Sequence, residues 1–132
     1  MMEFGKKTYI MGILNVTPDS FSDGGEFTNV DNAIKHALEM VEQGADIIDI
    51  GAESTRPGFI EVDADTEIKR LIPVIEALKI KTNALISVDT YKSEVARKAM
   101  QSGADIINDV WGFQKDTKMA EVAAEFNCPA VV

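Results

Sequence analysis

Short apolar runs alternate with longer stretches of helical periodicity throughout the chain, and this alternation restricts the fold more than any other feature. Residues 9–14 form an apolar run without polar alternation, which is typical of a strand covered on both faces. Similar runs predict further strands at 47–50, 84–88, 106–107 and 129–132. Between these runs, apolar residues recur at helical spacing. The order β-α-β-α-β-α-β-α-β implies parallel strands joined by right-handed helical crossovers.

The expected helix boundaries rest on capping residues and on one proline. Asp31 is the expected N-cap of a first helix over 32–43, which Gly44 ends. Pro73 falls inside the second helical stretch, residues 65–79, so a kink or a break is expected there. The third and fourth helices are expected to begin after polar capping residues, Ser93 and Asp116.

Two architectures fit a parallel α/β chain: an open doubly wound sheet and a (β/α)8 TIM barrel. The chain has 132 residues and contains no linker or low-complexity tract, so we expect a single domain. A barrel needs about 250 residues, and this chain finishes on an apolar strand without a closing helix. We therefore predict that residues 1–132 are the N-terminal half of one barrel domain. They would supply its first four βα units and the start of strand five.

The charge balance and the single cysteine exclude several classes of protein. The formal net charge of −9 argues against nucleic acid and against anionic membrane surfaces as partners, because both attract basic patches. No apolar run approaches the length of a membrane span. Cys128 is the one cysteine, so no internal disulfide can form, and a reducing, cytoplasmic location is expected.

The pentapeptide GADII occurs twice, at 44–48 and at 103–107. In each copy the glycine is expected to end a helix, Ala-Asp to turn the chain, and Ile-Ile to begin a buried strand. Asp46 and Asp105 then lie at the N-terminal ends of two strands, the end of an α/β fold that serves stability. The repeat therefore predicts a reused helix-to-strand joint rather than a catalytic motif.

The repeats diverge where their strands end, and that end of an α/β fold carries the chemistry. Each predicted strand there finishes on a carboxylate or a carboxamide: Asn15, Asp49, Asp89, Asn108 and Asp109. Any one of them alone could be a turn residue or a helix cap. Together they indicate a site that binds donor-rich groups or a hard cation through oxygen. The N–H-rich edge of an amino-pyrimidinone is one good match.

Two loops extend this face. Sixteen residues, NVTPDSFSDGGEFTNV, separate the first strand from its predicted helix, whereas most such loops have about two to six. This length and the pair Gly24 and Gly25 favour a lid over the alternative, a disordered surface loop. After the second strand comes GAESTRPG, in which Thr55 and Arg56 can hold a phosphate oxygen.

Taken together, these segments resemble the dihydropteroate synthase family. The matching motifs are ILNVTPDSFSDGG at 13–25, DIGAESTRPG at 49–58, ISVDTYKSEVARKA at 86–99 and GADIINDVWG at 103–112. They cover the chain nearly end to end. The family commonly has a second glycine where this chain has Ala52, and both residues are small.

The resemblance implies a pterin-binding (β/α)8 barrel and a transferase of folate biosynthesis. Such an enzyme condenses 6-hydroxymethyl-7,8-dihydropterin diphosphate with p-aminobenzoate, releases diphosphate and uses Mg2+. It is a sulfonamide target, and we expect a homodimer for the full-length protein. The family site also uses a later Asp, Lys, Arg and His, which the 132 residues cannot supply. The 132-residue chain alone is therefore expected to be inactive.

The resemblance also assigns roles to individual residues. It implies that Asn15 ligates Mg2+ or contacts the diphosphate, and that Asp89 and Asn108 hydrogen-bond the pterin edge. Thr55 and Arg56 would lie beside the diphosphate and the pterin. The p-aminobenzoate pocket would be formed by residues from both loops, Phe21, Ser22, Asp23 and Pro57. The catalytic set so implied stabilises the charges that develop as diphosphate leaves, and comprises Asp23, Asp89 and Arg56.

Three other functions remain open at this stage. A barrel of the methyltetrahydrofolate–corrinoid methyltransferase type would share the Asp and Asn strand ends, but would not need the NVTPDSFSDGG loop. A non-catalytic pterin-binding or partner module would fit the short chain. A doubly wound nucleotide-binding sheet would need G-x-G-x-x-G in its first βα loop, and that motif is absent there.

Overall fold

The computed structural model describes residues 2–16, 26–53 and 61–132, and for residues 26–28 it describes the backbone only. Strands and helices alternate along this part of the chain. In chain order they are β1 (Met11–Asn15), α1 (Glu26–Glu42), β2 (Ile47–Gly51), α2 (Ala64–Lys81), β3 (Leu85–Asp89), α3 (Ser93–Gln101), β4 (Ile106–Asn108), α4 (Met119–Phe126) and β5 (Ala130–Val131). Within these ranges no helix is long and apolar enough to cross a membrane.

The strands form one parallel sheet in the order β1-β2-β3-β4-β5. A doubly wound sheet reverses its strand order at a switch point, whereas a barrel adds each strand beside the last. Right-handed crossovers in a sheet of this order place every connecting helix on the same face. The predicted α/β barrel topology is thereby confirmed, and the doubly wound alternative is wrong.

One face of the sheet packs against the helices and forms the core. Alternate strand residues on this face are almost completely buried: Leu14, Ile48, Ile50, Ile86, Val88 and Ile107. Helix α2 contributes a buried apolar stripe against them, Leu71, Val74, Ile75 and Leu78. The residues between these on each strand face the opposite side, which would be the barrel interior.

Helix α1 begins earlier than expected, at Glu26, so Asp31 lies inside the helix and the predicted cap is wrong. The cause is apolar periodicity that extends upstream, because Val30 packs against the core that contains Ala33 and Ala37. The first connection is consequently shorter than predicted. The predicted stop is confirmed: Gly44 has a φ of +115°, and its N–H donates to the Val41 carbonyl at 3.0 Å.

Helix α2 runs through Pro73 without a break, so of the predicted kink or break, the break is wrong. The proline is solvent-exposed, and the buried stripe of the helix continues on both sides of it. Packing of that stripe outweighs the hydrogen bond that the proline cannot donate. The helix is capped by Asp63, whose Oδ1 accepts from the Thr66 N–H at 2.7 Å.

The caps predicted for the last two helices are wrong. Ser93 is the first residue of α3, and its N–H donates to Oδ2 of Asp116 at 2.7 Å. The carboxylate of Asp116 therefore satisfies the start of α3, while α4 begins later, at Met119, without a side-chain cap. A residue 23 positions away thus caps α3, and no local pattern could indicate this.

The GADII repeat is confirmed as a reused joint. Asp46 Oδ2 accepts from the Ile10 N–H at 3.0 Å, and Asp105 Oδ2 accepts from the Ile86 N–H at 2.9 Å. In both copies, then, the aspartate binds the backbone where the neighbouring strand begins. Each also pairs with a lysine, at 2.8 Å and 3.2 Å respectively, Lys7 and Lys79.

Candidate active site

Three of the predicted site residues lie side by side at the C-terminal ends of their strands. The strand register aligns Asn15 with Gly51, Gly51 with Asp89, and Asp89 with Asn108. Neighbouring strands are about 4.8 Å apart, so this layer spans roughly 14 Å from first to last. The structure therefore brings Asn15, Asp89 and Asn108 onto one face, as the sequence predicted. These three residues and Gly51 are called the acceptor layer below.

Gly51 belongs to the acceptor layer although the sequence did not indicate it. A Cβ atom placed on Gly51 would lie 3.2 Å from Oδ2 and 3.4 Å from Cβ of Asp89. The Asp89 side chain thus occupies the space beside Gly51, and a larger residue there would push it aside. The signal for this role is a glycine inside a strand, which often marks a close approach.

Asp49 faces the same interior but one level deeper, aligned with Ile13 and Ser87. Its Oδ2 accepts a hydrogen bond from Nδ2 of Asn108 at 3.1 Å. Burial raises the pKa of Asp49, and the nearby Ser87 hydroxyl and Asn108 carboxamide lower it in part. Within the described residues, neither Asp49 Oδ1 nor Ser87 Oγ has a partner in hydrogen-bond geometry.

Asp109 does not join this face, contrary to prediction. It is fully buried, and its carboxylate accepts the backbone N–H groups of Trp111 and Phe113, both at 3.0 Å. Successive strand residues point to opposite faces, so Asn108 and Asp109 cannot both face the interior. Asp109 instead fixes the turn after β4.

Burial and acidic surroundings together raise the pKa of Asp89 to about 7. Burial is the largest cause, and the charges of Asp49, Glu67, Asp109 and Glu53 add to it. Proximity of like charges and loss of solvent both penalise the ionised form of a carboxyl group. A ligand that donates hydrogen bonds to this carboxylate would relieve that penalty.

A network of ion pairs lies beside the acceptor layer. The Lys92 ammonium contacts Oε2 of Glu53 at 3.2 Å and also contacts Glu67 Oε1 and the Val62 carbonyl. Glu67 is almost fully buried, and its other oxygen accepts from the Thr90 hydroxyl at 3.1 Å. Burial raises the pKa of Glu67 even though Lys92 and Thr90 favour its charged form.

Tyr91 extends this network. Its hydroxyl oxygen lies 2.9 Å from Oε1 of Glu53 and 2.9 Å from Oε1 of Glu61. Burial raises the pKa of Tyr91, and the Glu61 and Glu53 carboxylates raise it further. Glu53 and Glu61 flank residues 54–60 in the chain, so Tyr91 ties together the two ends of the segment that carries Thr55 and Arg56.

A cavity of about 180 Å³ opens next to Asp89, between the turns that follow β3 and β4. Trp111 and Tyr91 line it, and the Lys115 ammonium lies 4.1 Å from the Tyr91 ring centre and 4.9 Å from that of Trp111. A larger, open depression of about 610 Å³ borders Asp46, where the strands begin. It lies at the opposite end of the sheet from the acceptor layer.

The remaining predicted site residues fall outside the described ranges. They belong to the two long loops: Phe21, Ser22, Asp23, Thr55, Arg56 and Pro57.

Asn15 is the predicted metal ligand. Its side chain is exposed at the end of β1 and offers a carboxamide oxygen. The described residues contain no group of three or more His, Cys, Asp or Glu side chains arranged to hold a metal. Mg2+ commonly takes only one or two protein ligands and completes its shell with substrate phosphates and water, so a single oxygen at this position fits.

A parallel sheet in chain order, with hydrogen-bond acceptors at the C-terminal strand ends, defines part of an α/β barrel whose candidate site lies at those ends. Residues 11–132 match the model of the pterin binding enzyme family, and the chain belongs to that family.

Within this family, the chain resembles dihydropteroate synthases in particular. It is 57% identical over 125 residues to the dihydropteroate synthase of Clostridium beijerinckii, covering 95% of this chain and 46% of that protein. The solved dihydropteroate synthase of Clostridium difficile, in the presence of pteroic acid, is 58% identical with a TM-score of 0.94. That match covers 98% of this chain and 49% of the other.

The dihydropteroate synthase of Xanthomonas albilineans, solved with 4-aminobenzoic acid, is 47% identical with a TM-score of 0.88. The match covers 95% of this chain and 46% of that one. This chain therefore spans about half the length of the relatives that it matches. The predicted resemblance is confirmed.

Proposed function

We propose that the full-length product of the gene encoding this chain, called the gene product below, is a dihydropteroate synthase of folate biosynthesis. It would condense 6-hydroxymethyl-7,8-dihydropterin diphosphate with p-aminobenzoate to form 7,8-dihydropteroate and diphosphate. The observation that carries this proposal is the acceptor layer, in which Asp89 and Asn108 lie side by side on adjacent strands. The chain that holds them is 58% identical to a synthase solved with pteroic acid.

Asp89 and Asn108 would bind the pterin. A pterin presents a row of N–H groups along its pyrimidinone edge, and a carboxylate and a carboxamide oxygen on adjacent strands can accept them. Because the pKa of Asp89 is about 7 in the free protein, binding of such donors would favour its ionised form. The half-buried position of both side chains would shield these hydrogen bonds from water.

Diphosphate departure needs positive charge on the other side of the site. Mg2+ would neutralise the leaving oxygen, with Asn15 as a protein ligand. Thr55 and Arg56 would donate hydrogen bonds to the diphosphate. As the carbon–oxygen bond breaks, the bonding electrons leave with the diphosphate and the pterin methylene becomes cationic. The carboxylates of Asp23 and Asp89 would stabilise that cation.

The aniline nitrogen of p-aminobenzoate would then form the new carbon–nitrogen bond and lose a proton. Both long loops would line its pocket, with Phe21, Ser22, Asp23 and Pro57. Sulfonamides share the aniline group and would compete there.

We also propose a cytoplasmic homodimer. The 132 residues contain one cysteine, which is consistent with a reducing compartment, and the dimer rests on the family resemblance.

The test is an assay of dihydropteroate formation by the purified gene product with both substrates and Mg2+. We expect turnover by the gene product, at least about a hundredfold less in the Asp89→Asn variant, and none from residues 1–132 alone. Pterin binding without turnover would favour a non-catalytic module, and methyl transfer from methyltetrahydrofolate would favour the corrinoid methyltransferase class. Steady turnover by residues 1–132 would contradict the assignment of a half-site.

A further inference from the structure

We propose that Asp49 is a positioning residue that fixes the orientation of the Asn108 carboxamide, so that Asn108 presents its oxygen to a ligand. This inference rests on the proposed function, because it concerns how the same site recognises the pterin edge. The sequence predicted Asp49 only as one of several polar strand-end residues of a binding site, whereas it lies in the middle of β2.

The geometry places Asp49 directly beneath the acceptor layer. It lies on β2, is 4% exposed and occupies the level below Gly51 and Asp89. Its side chain crosses β3 to reach β4, where Oδ2 lies 3.1 Å from Nδ2 of Asn108. A ligand above the layer would touch Asp89 and Asn108 but would not reach Asp49.

The chemistry of this contact sets the orientation of Asn108. An ionised carboxylate has no proton to donate, so only the amino group of the carboxamide can face it. Oδ1 of Asn108 and its second N–H are then free for a ligand. Without this contact, the carboxamide can turn over at little cost and exchange its acceptor for a donor. Asp49 therefore turns the Asn108 carboxamide so that its oxygen, an acceptor, faces the ligand beside the carboxylate of Asp89.

Stability alone does not explain a carboxylate at this position. The aligned residues Ile13, Ser87 and Ile106 carry no charge, and Asp49 gains one hydrogen bond while losing its water. Burial penalises the charged form of Asp49, so removal of the charge alone should not destabilise the fold. A positioning role and a structural role thus predict opposite effects on stability when the charge is removed.

The experiment compares the gene product with its Asp49→Asn, Asn108→Asp and doubly substituted variants. Isothermal titration measures the affinity for pterin, which carries a 2-amino donor, and for lumazine, which carries an oxygen at that position. Urea unfolding of the same samples at pH 8 measures stability. Asp49→Ala serves as a second variant, because alanine cannot orient the carboxamide at all.

We expect Asp49→Asn and Asp49→Ala to weaken pterin binding at least about tenfold and to shrink the preference for pterin over lumazine. Asp49→Asn should not lower stability. Asn108→Asp alone should weaken binding, and the double variant should regain part of it. In the double variant the donor and the acceptor have changed places: the new carboxamide on β2 can donate to the new carboxylate on β4, which keeps an acceptor for the ligand.

Unchanged pterin affinity or an unchanged ligand preference in Asp49→Asn would overturn the inference, as would a loss of affinity fully accounted for by unfolding. A wild-type protein that binds neither pterin nor the pterin diphosphate would instead refute the proposed function. The two failures are therefore distinguishable.

Discussion

The ammonium nitrogen of Lys92 lies 3.2 Å from Oε2 of Glu53, across 39 positions of sequence. The same ammonium contacts Glu67, so one cation is shared by two carboxylates beside the acceptor layer. Burial lowers the pKa of Lys92, but Glu67 and Glu53 outweigh it and leave the pKa above its usual value. Lys92 therefore keeps its charge. The side chain of Glu67 is only 2% exposed, so its carboxylate depends on the Lys92 ammonium for charge compensation.

Replacement of Lys92 by methionine should destabilise the gene product by about 3 kcal/mol, because it leaves a buried carboxylate without its cation. Urea unfolding at neutral pH measures the loss. Lys98→Met is the matched control, since Lys98 is exposed on α3, the helix that Lys92 directly precedes, and its loss should cost less than about 0.5 kcal/mol. Equal effects of the two substitutions would show that the network adds nothing to stability.

The raised pKa of Asp89 predicts a stability that falls as the pH rises. Between its ordinary value and about 7, the folded protein holds a proton on Asp89 that the unfolded chain has released. Stability therefore declines through this window, by at most about 1.4 kcal/mol per pH unit from this one group. Above about pH 7 Asp89 is ionised in the folded and the unfolded protein, and the full cost of its buried charge lowers the free energy of unfolding.

Urea unfolding from pH 5 to pH 8 in the wild type and in Asp89→Asn isolates this contribution. The variant should gain stability relative to the wild type as the pH rises. Asp49 and Glu67 titrate in the same direction but are common to both proteins. A stability difference that does not change with pH would mean that Asp89 is ionised throughout.

Much of the fold could be predicted from sequence because its signals are local. A strand buried on both faces consists of a continuous apolar run. The residue that follows this run lies at the C-terminal end of the strand, where the site is expected. Asn15, Asp89 and Asn108 were therefore correctly predicted to share one face. Asp109 was not, because strand alternation turns it to the other face, and its backbone partners appear only in the folded turn.

The ion-pair network could not be predicted in this way. Lys92 and Glu67 are 25 positions apart, and each looks like an ordinary charged residue in its own segment. Their contact depends on how α2 packs beside α3, which charge patterns do not encode. The cap of α3 by Asp116 was missed for the same reason. Long-range polar contacts are thus the part of this structure that could not be predicted from a single sequence.

The two GADII joints allow a matched comparison. Gly44 and Gly103 have φ values of +115° and +113°, so alanine should cost about 1–3 kcal/mol at either position through backbone strain. A Cβ at Gly103 would also lie 2.8 Å from Cγ of Lys79, whereas Gly44 has open space. Gly103→Ala should therefore destabilise more than Gly44→Ala in urea unfolding. Equal losses would show that the Lys79 side chain moves away without cost.

Residues 1–132 expressed alone should associate with themselves. Strands β1 and β5 are the two edges of the sheet in the part that the structure describes, and exposed backbone edges pair readily. The interior face adds Ile13, which is 65% exposed, and Val131 and Val132 are exposed at the other edge. Sedimentation velocity over a range of concentrations should show dimers or larger species rather than a compact monomer.

A charge on the interior face should suppress this association if the exposed sheet causes it. Ile13→Glu places a carboxylate at an already exposed site and should shift the distribution toward monomer. Ile80→Glu is the control, because Ile80 is 87% exposed but lies on α2, away from that face. A similar shift in both variants would attribute the association to general charge. If the wild-type polypeptide is a monomer, the interior face of the sheet must be covered by other parts of these 132 residues.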